Sequence, residues 1–410
     1  MIRSISWVTS FAMICWLGQG TPAAWAAPAK VEVAPQVSET YRAPALSAVR
    51  NGKVVVGWEE VDDTAKVGVL GRIFDADLGA AGPVFVVADA PAEDPAVAWS
   101  SSGGEFGVVW DAHGTIMGRL FSRDAEPIGD EVVLAETYSA FGESEVASRP
   151  KLVSLEDGWI VVWRVYRTNI RGDEPRSWLT AIRVGADGLQ IGEDLMIGRY
   201  TWGIAGTMDD YDLALDPKAQ EWVVAWYANY WGVKTEILAS RYDALGNELT
   251  YSRIARNPGT REESALDASI DGRGRTALVW VRHTGGLAYD DVFGRRLRAN
   301  GSKLPSGRVH DPGRGVQGRP AVGALLNGQT LVVWEDRPIG TTDPLLRGQW
   351  FKPSDERLGD ELSLSLPDSI RQTNPVATTH RSRAVLVAWE EHRADGSIQI
   401  LLERFVPPSP

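Results

Sequence analysis

Seven times along this chain an apolar run of β-branched and small residues ends in tryptophan, at Trp58, Trp110, Trp163, Trp226, Trp280, Trp334 and Trp389. The first copy reads Val54-Val55-Val56-Gly57-Trp58, and the last reads Leu386-Val387-Ala388-Trp389. Neighbouring tryptophans lie 52, 53, 63, 54, 54 and 55 residues apart. A period of this length marks a stack or ring of similar supersecondary units. Helical repeats do not fit, because β-branched runs, prolines and glycine turns dominate and no 3.6-residue pattern persists.

Each copy carries the same surroundings. A short segment precedes the tryptophan run and begins with Pro44, Pro95, Pro150, Pro320 or Pro375; copies four and five have Asp212 and Leu266 in that place. Turn signals such as Asn51-Gly52 and Asp157-Gly158 then lead into the tryptophan strand. A third strand ends at Phe74, Phe121, Val184, Tyr242, Leu297, Phe351 and Phe405, and a glycine turn opens a fourth in the first five copies. Four short antiparallel strands per copy make a propeller blade. The expected fold is therefore all-β: one seven-bladed β-propeller over residues 27–406. Its blades lie near 44–90, 95–136, 150–197, 212–256, 266–309, 320–365 and 375–406. The first strand of each should be innermost, where proline removes no ladder bond. The seventh copy lacks a fourth strand, since only prolines and a serine follow Phe405-Val406. Residues 30–35 have a strand pattern and are expected to complete that blade, closing the ring.

The N-terminus reads as an export signal. Arg3 precedes an apolar stretch, Ile5 to Leu17, and Ala24-Trp25-Ala26 fits a cut after Ala26. The expected location is periplasmic or extracellular. Cys15, the only cysteine, lies within that stretch, so the mature chain could form no disulfide and no thiolate metal site. No later run is long and apolar enough to span a membrane. The net charge of −12 disfavours nucleic acid. No cofactor or metal motif is present.

The unit Gly118-Arg119-Leu120-Phe121, following a Val-Val-Trp strand, resembles the ~50-residue propeller repeats of large secreted bacterial proteins. That resemblance covers nearly the whole mature chain and implies a fold rather than an activity. The Gly-His and Trp-Asp pattern of WD40 repeats is missing, and Kelch double glycines do not recur. Ser269-Ile270-Asp271-Gly272 is similar to the Asp-box of sialidases but stands alone.

Function is expected on the face bearing the second-to-third-strand and blade-to-blade loops. Two of these stand out: Arg164 to Ser177 in copy three, and Ile197 to Tyr211, which accounts for the spacing of 63. They and the next blade supply Tyr166, Arg171, Asp173, Tyr200, Trp202, Asp209, Asp210, Tyr211, Tyr230 and Trp231 as candidate ligand-binding residues. Aromatic faces with carboxylates and arginines suit sugar rings and equally a protein partner. The expected function is an exported binding or scaffold propeller for a glycan or an extracellular or periplasmic protein. Two rivals stand beside it: a polysaccharide-active enzyme using acids such as Asp209 and Asp210, and a structural module of an envelope assembly. Glu59, Asp111, Glu335 and Glu390 follow repeat tryptophans without forming a complete ring, and recurrent third-strand arginines such as Arg241 and Arg296 are expected to bridge blades.

Overall fold

The computed structural model describes residues 30–34, 40–49, 52–61, 67–89, 91–140, 143–169, 176–197, 207–230, 234–256, 265–283, 290–311, 315–364, 369–380 and 383–408. They form seven antiparallel sheets, each ordered along the chain from an inner to an outer strand, with the last sheet completed from the N-terminal end. The inner strands are Thr40–Ala48, Glu93–Trp99, Glu143–Leu155, Thr207–Asp216, Leu266–Ile270, Gly315–Ala324 and Ser369–His380. Each touches the inner strands of the blades before and after it, and the first touches the seventh, so the sheets close a ring.

The second strand is flanked on both sides within its sheet, which explains its continuous apolar run. Every repeat tryptophan lies in a core cluster shared with the preceding blade. Trp58, for instance, packs with Leu386 and Ala388 of blade 7, and Trp226 with Ile160 and Val162 of blade 3. Seven such clusters fill the seven seams. Truncating one tryptophan to alanine would cost about 3–5 kcal/mol.

Lys30–Glu32 pairs antiparallel with the third strand of blade 7, Ile398–Phe405, in the register Lys30↔Glu403, Val31↔Leu402, Glu32↔Leu401. The expected closure is thus present. Lys30 lies 4.8 Å above the Trp389 ring and 3.6 Å from Glu403. Val33 is fully buried, its N–H donates to Ile400 O at 2.9 Å, and its carbonyl accepts from Arg72 Nη1 at 2.9 Å. One segment therefore ties blade 7 to blade 1. The expected signal segment and Ala26 lie outside the described residues. Among the described residues, no helix is long and apolar enough to cross a membrane.

Blade 3 departs from the four-strand pattern. Its inner strand has 13 residues and pairs at its upper end with an extra strand, Tyr138–Ala140. Its second and third strands, Gly158–Asn169 and Arg176–Gly185, continue paired from Gly158↔Gly185 to Arg167↔Arg176. The segment expected as a loop from Arg164 is therefore largely an extended hairpin. Likewise the inner strand of blade 4 begins at Thr207, so Asp209, Asp210 and Tyr211 belong to that strand and not to the preceding loop. β-Branched and aromatic residues pair as readily in an over-long hairpin as in a core strand. Blade 3 consequently stands as a wall beside the inner strand of blade 4, joined to it by hydrogen bonds between Ser177 Oγ and the Met208 backbone.

Candidate functional site

The inner strands surround an axial channel of about 1730 Å3. Apart from the upper end of the blade 3 strand, their channel-side edges have no strand partner, so N–H groups there must find acceptors elsewhere. Side chains of the preceding blade supply several. Ser47 Oγ accepts from Trp99 N, Asp210 from Leu266 N, Asp212 from Ala268 N, Asp267 from Val322 N and Ser269 Oγ from Ala324 N.

One level of the channel is unlike the rest. The residues paired opposite the position just before each repeat tryptophan are Ala45, Ala96, Lys151, Asp212, Asp267, Ala321 and Val376. Ala45, Ala96 and Val376 line the channel with methyl groups and Ala321 is buried, while blades 3, 4 and 5 present a lysine and two carboxylates. Lys151 Nζ lies 3.2 Å from Asp212 Oδ1, with 42% of the lysine side chain exposed to the channel. Burial is the main force on the Asp267 carboxyl and pushes it well up; the adjacent Asp212 charge and a hydrogen bond to it add to the rise. These effects favour the protonated form of Asp267. A line of polar contacts runs from Lys151 through Asp212 and Asp267 to the Val322 N–H, across four blades. Asp210, two residues above Asp212, is pushed up to about 6 chiefly by burial, against the pull of Lys151. Burial alone would lower Lys151, but Asp212, Asp267 and Asp210 together hold it above the usual lysine range.

Above this level the repeated prolines have a specific role. Ala43, Asp94, Arg149, Arg319 and Asn374, each just before a proline, have φ of 49°, 49°, 53°, 36° and 54°, and each sits in a bulge of the inner strand. Positive φ is costly for side chains of this kind. The acid after the preceding blade's tryptophan holds three of them. Glu390 accepts from Ala43 N at 2.8 Å, Glu59 from Asp94 N at 2.7 Å and Glu335 from Asn374 N at 2.9 Å. Burial pushes Glu59 and Glu335 up; Glu390 is pushed the same way, but hydrogen bonds from His392, Asn374, Ala43 and Thr373 outweigh it and hold it below its usual value. Asp111 instead accepts from Gly114 N within its own loop and rises to about 6, mainly by burial. Bridging by third-strand arginines is present at Arg296, which bonds Gly328 O, Thr330 Oγ1, Lys352 O and Asp355 of blade 6, and at Arg241, which pairs with Asp216 of its own blade and donates to Gly274 O of blade 5.

No family model matches this chain, and no curated protein matches it. Solved structures do. An ulvan lyase of a polysaccharide lyase family superposes with a TM-score of 0.52 at 10% identity, over 91% of this chain and 95% of that one. A protein of unknown function from Dyadobacter fermentans gives 0.49 at 14% identity, over 92% and 98%. A sialidase from Streptococcus pneumoniae gives 0.49 at 10%, over 92% and 70%. Such likeness establishes the propeller and no activity.

Of the candidates read from sequence, Arg171, Asp173, Tyr200, Trp202 and Trp231 lie outside the described residues, and of the Asp209 side chain nothing is described. Tyr166 and Tyr230 are half-buried at the upper ends of the second strands of blades 3 and 4. Burial, with the Glu236 charge beside it, raises Tyr230 to about 12. Asp210 lines the channel. Tyr211 is only 3% exposed; its hydroxyl donates toward Val162 O and Arg149 O, so it clamps the blade 3 bulge instead of facing a ligand. The sequence reading missed Lys151 and Asp267. The signal was there: at one level, four blades carry alanine or valine and three adjacent blades carry charge.

Proposed function

We propose that this chain is an exported binding protein that takes the end of a neutral glycan chain into its axial channel, with the raised hairpin of blade 3 as a lip. The observation that carries this is the two-sided channel level. A sugar ring has apolar C–H faces and a polar rim of hydroxyls. Ala45 and Val376 on one side and Lys151 with Asp212 on the other supply the matching surfaces. An axial channel admits a chain end but not a folded domain, which favours a glycan over a protein partner. Binding is favoured over cleavage because Asp210, Asp212 and Asp267 each already accept a backbone N–H of the next blade, whereas a hydrolytic pair needs carboxyls positioned for the scissile bond. The polysaccharide-lyase neighbour shows that this ring shape is also found in a glycan-active protein.

A glycan array, followed by calorimetric titration of the best ligand, tests the reading. Lys151→Met is expected to weaken affinity at least tenfold, and Lys151→Arg to stay within about threefold, as for loss of a charge-assisted hydrogen bond. Absence of any array ligand, or equal affinity in folded Lys151→Met, contradicts it.

A further inference from the structure

We propose that the raised sheet of blade 3 is an outer subsite for the same glycan, so that this chain selects long oligosaccharides over short ones. The inference rests on the glycan reading above and extends it to the part of the sugar chain outside the channel.

Blades 2 and 3 differ sharply in height. The second strand of blade 2 stops at Asp111, one residue past Trp110, whereas that of blade 3 runs to Asn169, six residues past Trp163. Lower on blade 3, Ala147 and Val165 are buried in a core cluster with Val109 and Ile116 of blade 2. Two residues farther up the same face, Glu145 and Arg167 have outrun that neighbour, with 30% and 35% of their side chains exposed. The step between the blades therefore leaves this face of the sheet bare.

The paired registers place Tyr138, Glu145, Arg167 and Arg176 in one row across four strands, about 14 Å from end to end. Tyr138 is 58% exposed, more than any other aromatic side chain among the described residues. Its strand, Tyr138–Ala140, has no counterpart in the other six sheets. Beside it, Glu145 Oε1 lies 3.7 Å from Arg167 Nε. An open aromatic face next to a paired carboxylate and guanidinium can stack on a sugar ring and bond its hydroxyls. The pair offsets its own charge, which suits a neutral glycan. The row and the channel also share one strand: Glu143–Leu155 carries both Glu145 and Lys151. Their partners, Arg167 and Val162, place them five positions apart along the sheet, about 17 Å. A glycan whose end lies at Lys151 therefore reaches the row only when it is several sugar units long.

Calorimetric titration of the full chain with malto-, cello-, manno- and xylo-oligosaccharides of two to eight units tests this. Within a series that binds, affinity is expected to rise at least about fivefold from the shortest member to the longest. Tyr138→Ala is expected to remove that gain and leave the shortest sugar unchanged, whereas Tyr138→Phe keeps it. Arg167→Gln, with Tyr138 in place, is expected to reduce the gain in the same way. Lys151→Met is expected to weaken short and long members alike. Equal affinity at all lengths, or an undiminished gain in both folded Tyr138→Ala and folded Arg167→Gln, overturns the outer subsite and leaves the channel reading standing; binding by no series overturns both.

Discussion

Glu390 holds blades 7 and 1 together at the channel mouth. Its carboxylate accepts from Ala43 N at 2.8 Å, Asn374 Nδ2 at 2.6 Å and Thr373 Oγ1 at 2.9 Å, with His392 Nε2 at 3.6 Å. Glu390→Ala would orphan these buried donors, and chemical denaturation is expected to show a loss of about 2–4 kcal/mol; a change below about 0.5 kcal/mol would show that the bulge does not need the acid. Asp267 has the opposite sign. Its folded pKa is raised, so its stabilising contribution is complete below the unfolded carboxylate range and is lost as pH rises through the folded value. Asp210 and Asp111, both raised to about 6, add to the same loss. The melting temperature is expected to fall from pH 4.5 to pH 7.5. Asp267→Asn keeps an acceptor for Val322 N and mimics the protonated acid. It should melt about 1–3 °C above the unaltered chain at pH 7.5 and no higher at pH 4.5; a lower melting temperature at pH 7.5 would contradict a raised Asp267 carboxyl. The acids after the tryptophans were visible in the sequence, but their partners were not, because each partner is a backbone N–H in the next blade.

The closing strand is the element on which the ring depends. Lys30–Glu32 covers the exposed edge of Ile398–Phe405, and Val33 and Ala34 continue into a core shared with blade 1. Deleting residues 27–34 is expected to lower the melting temperature by about 10 °C or more and to promote association through the bared edge. Retention of both melting temperature and monodispersity would show that the ring closes without it. Seven blades and this closure were legible because tryptophan spacing and a missing fourth strand are local, periodic signals. The length of blade 3 was not legible: Arg164, Tyr166 and Arg167 look like a polar loop, and pairing with Ser148, Val146 and Glu145 of an equally prolonged inner strand makes them strand. The charged channel level was obscured for a related reason. Bulges and unequal turns place its residues 12 to 14 positions before the tryptophan, Lys151 at one extreme and Asp212 at the other, so alignment on the tryptophan alone puts unlike residues together.

At the scale of the whole molecule the seven blades are alike in their seams and unlike at the axis. Apolar seams with a buried tryptophan recur around the ring, which is what packing demands. The axial wall breaks that symmetry in blades 3, 4 and 5, a set that includes the blade whose strands are longest. A purely structural ring gains nothing from burying Asp212 and Asp267 against each other, whose mutual repulsion and desolvation are unfavourable; a binding channel gains donors and acceptors facing an apolar surface. The most direct measurement is a crystal structure with a neutral oligosaccharide found to bind in solution. A sugar unit should lie in the axial channel, a hydroxyl within hydrogen-bonding distance of Lys151 Nζ and a C–H face toward Ala45 and Val376. A bound oligosaccharide on the outer rim of the blades, with the channel unoccupied by sugar, would contradict the account.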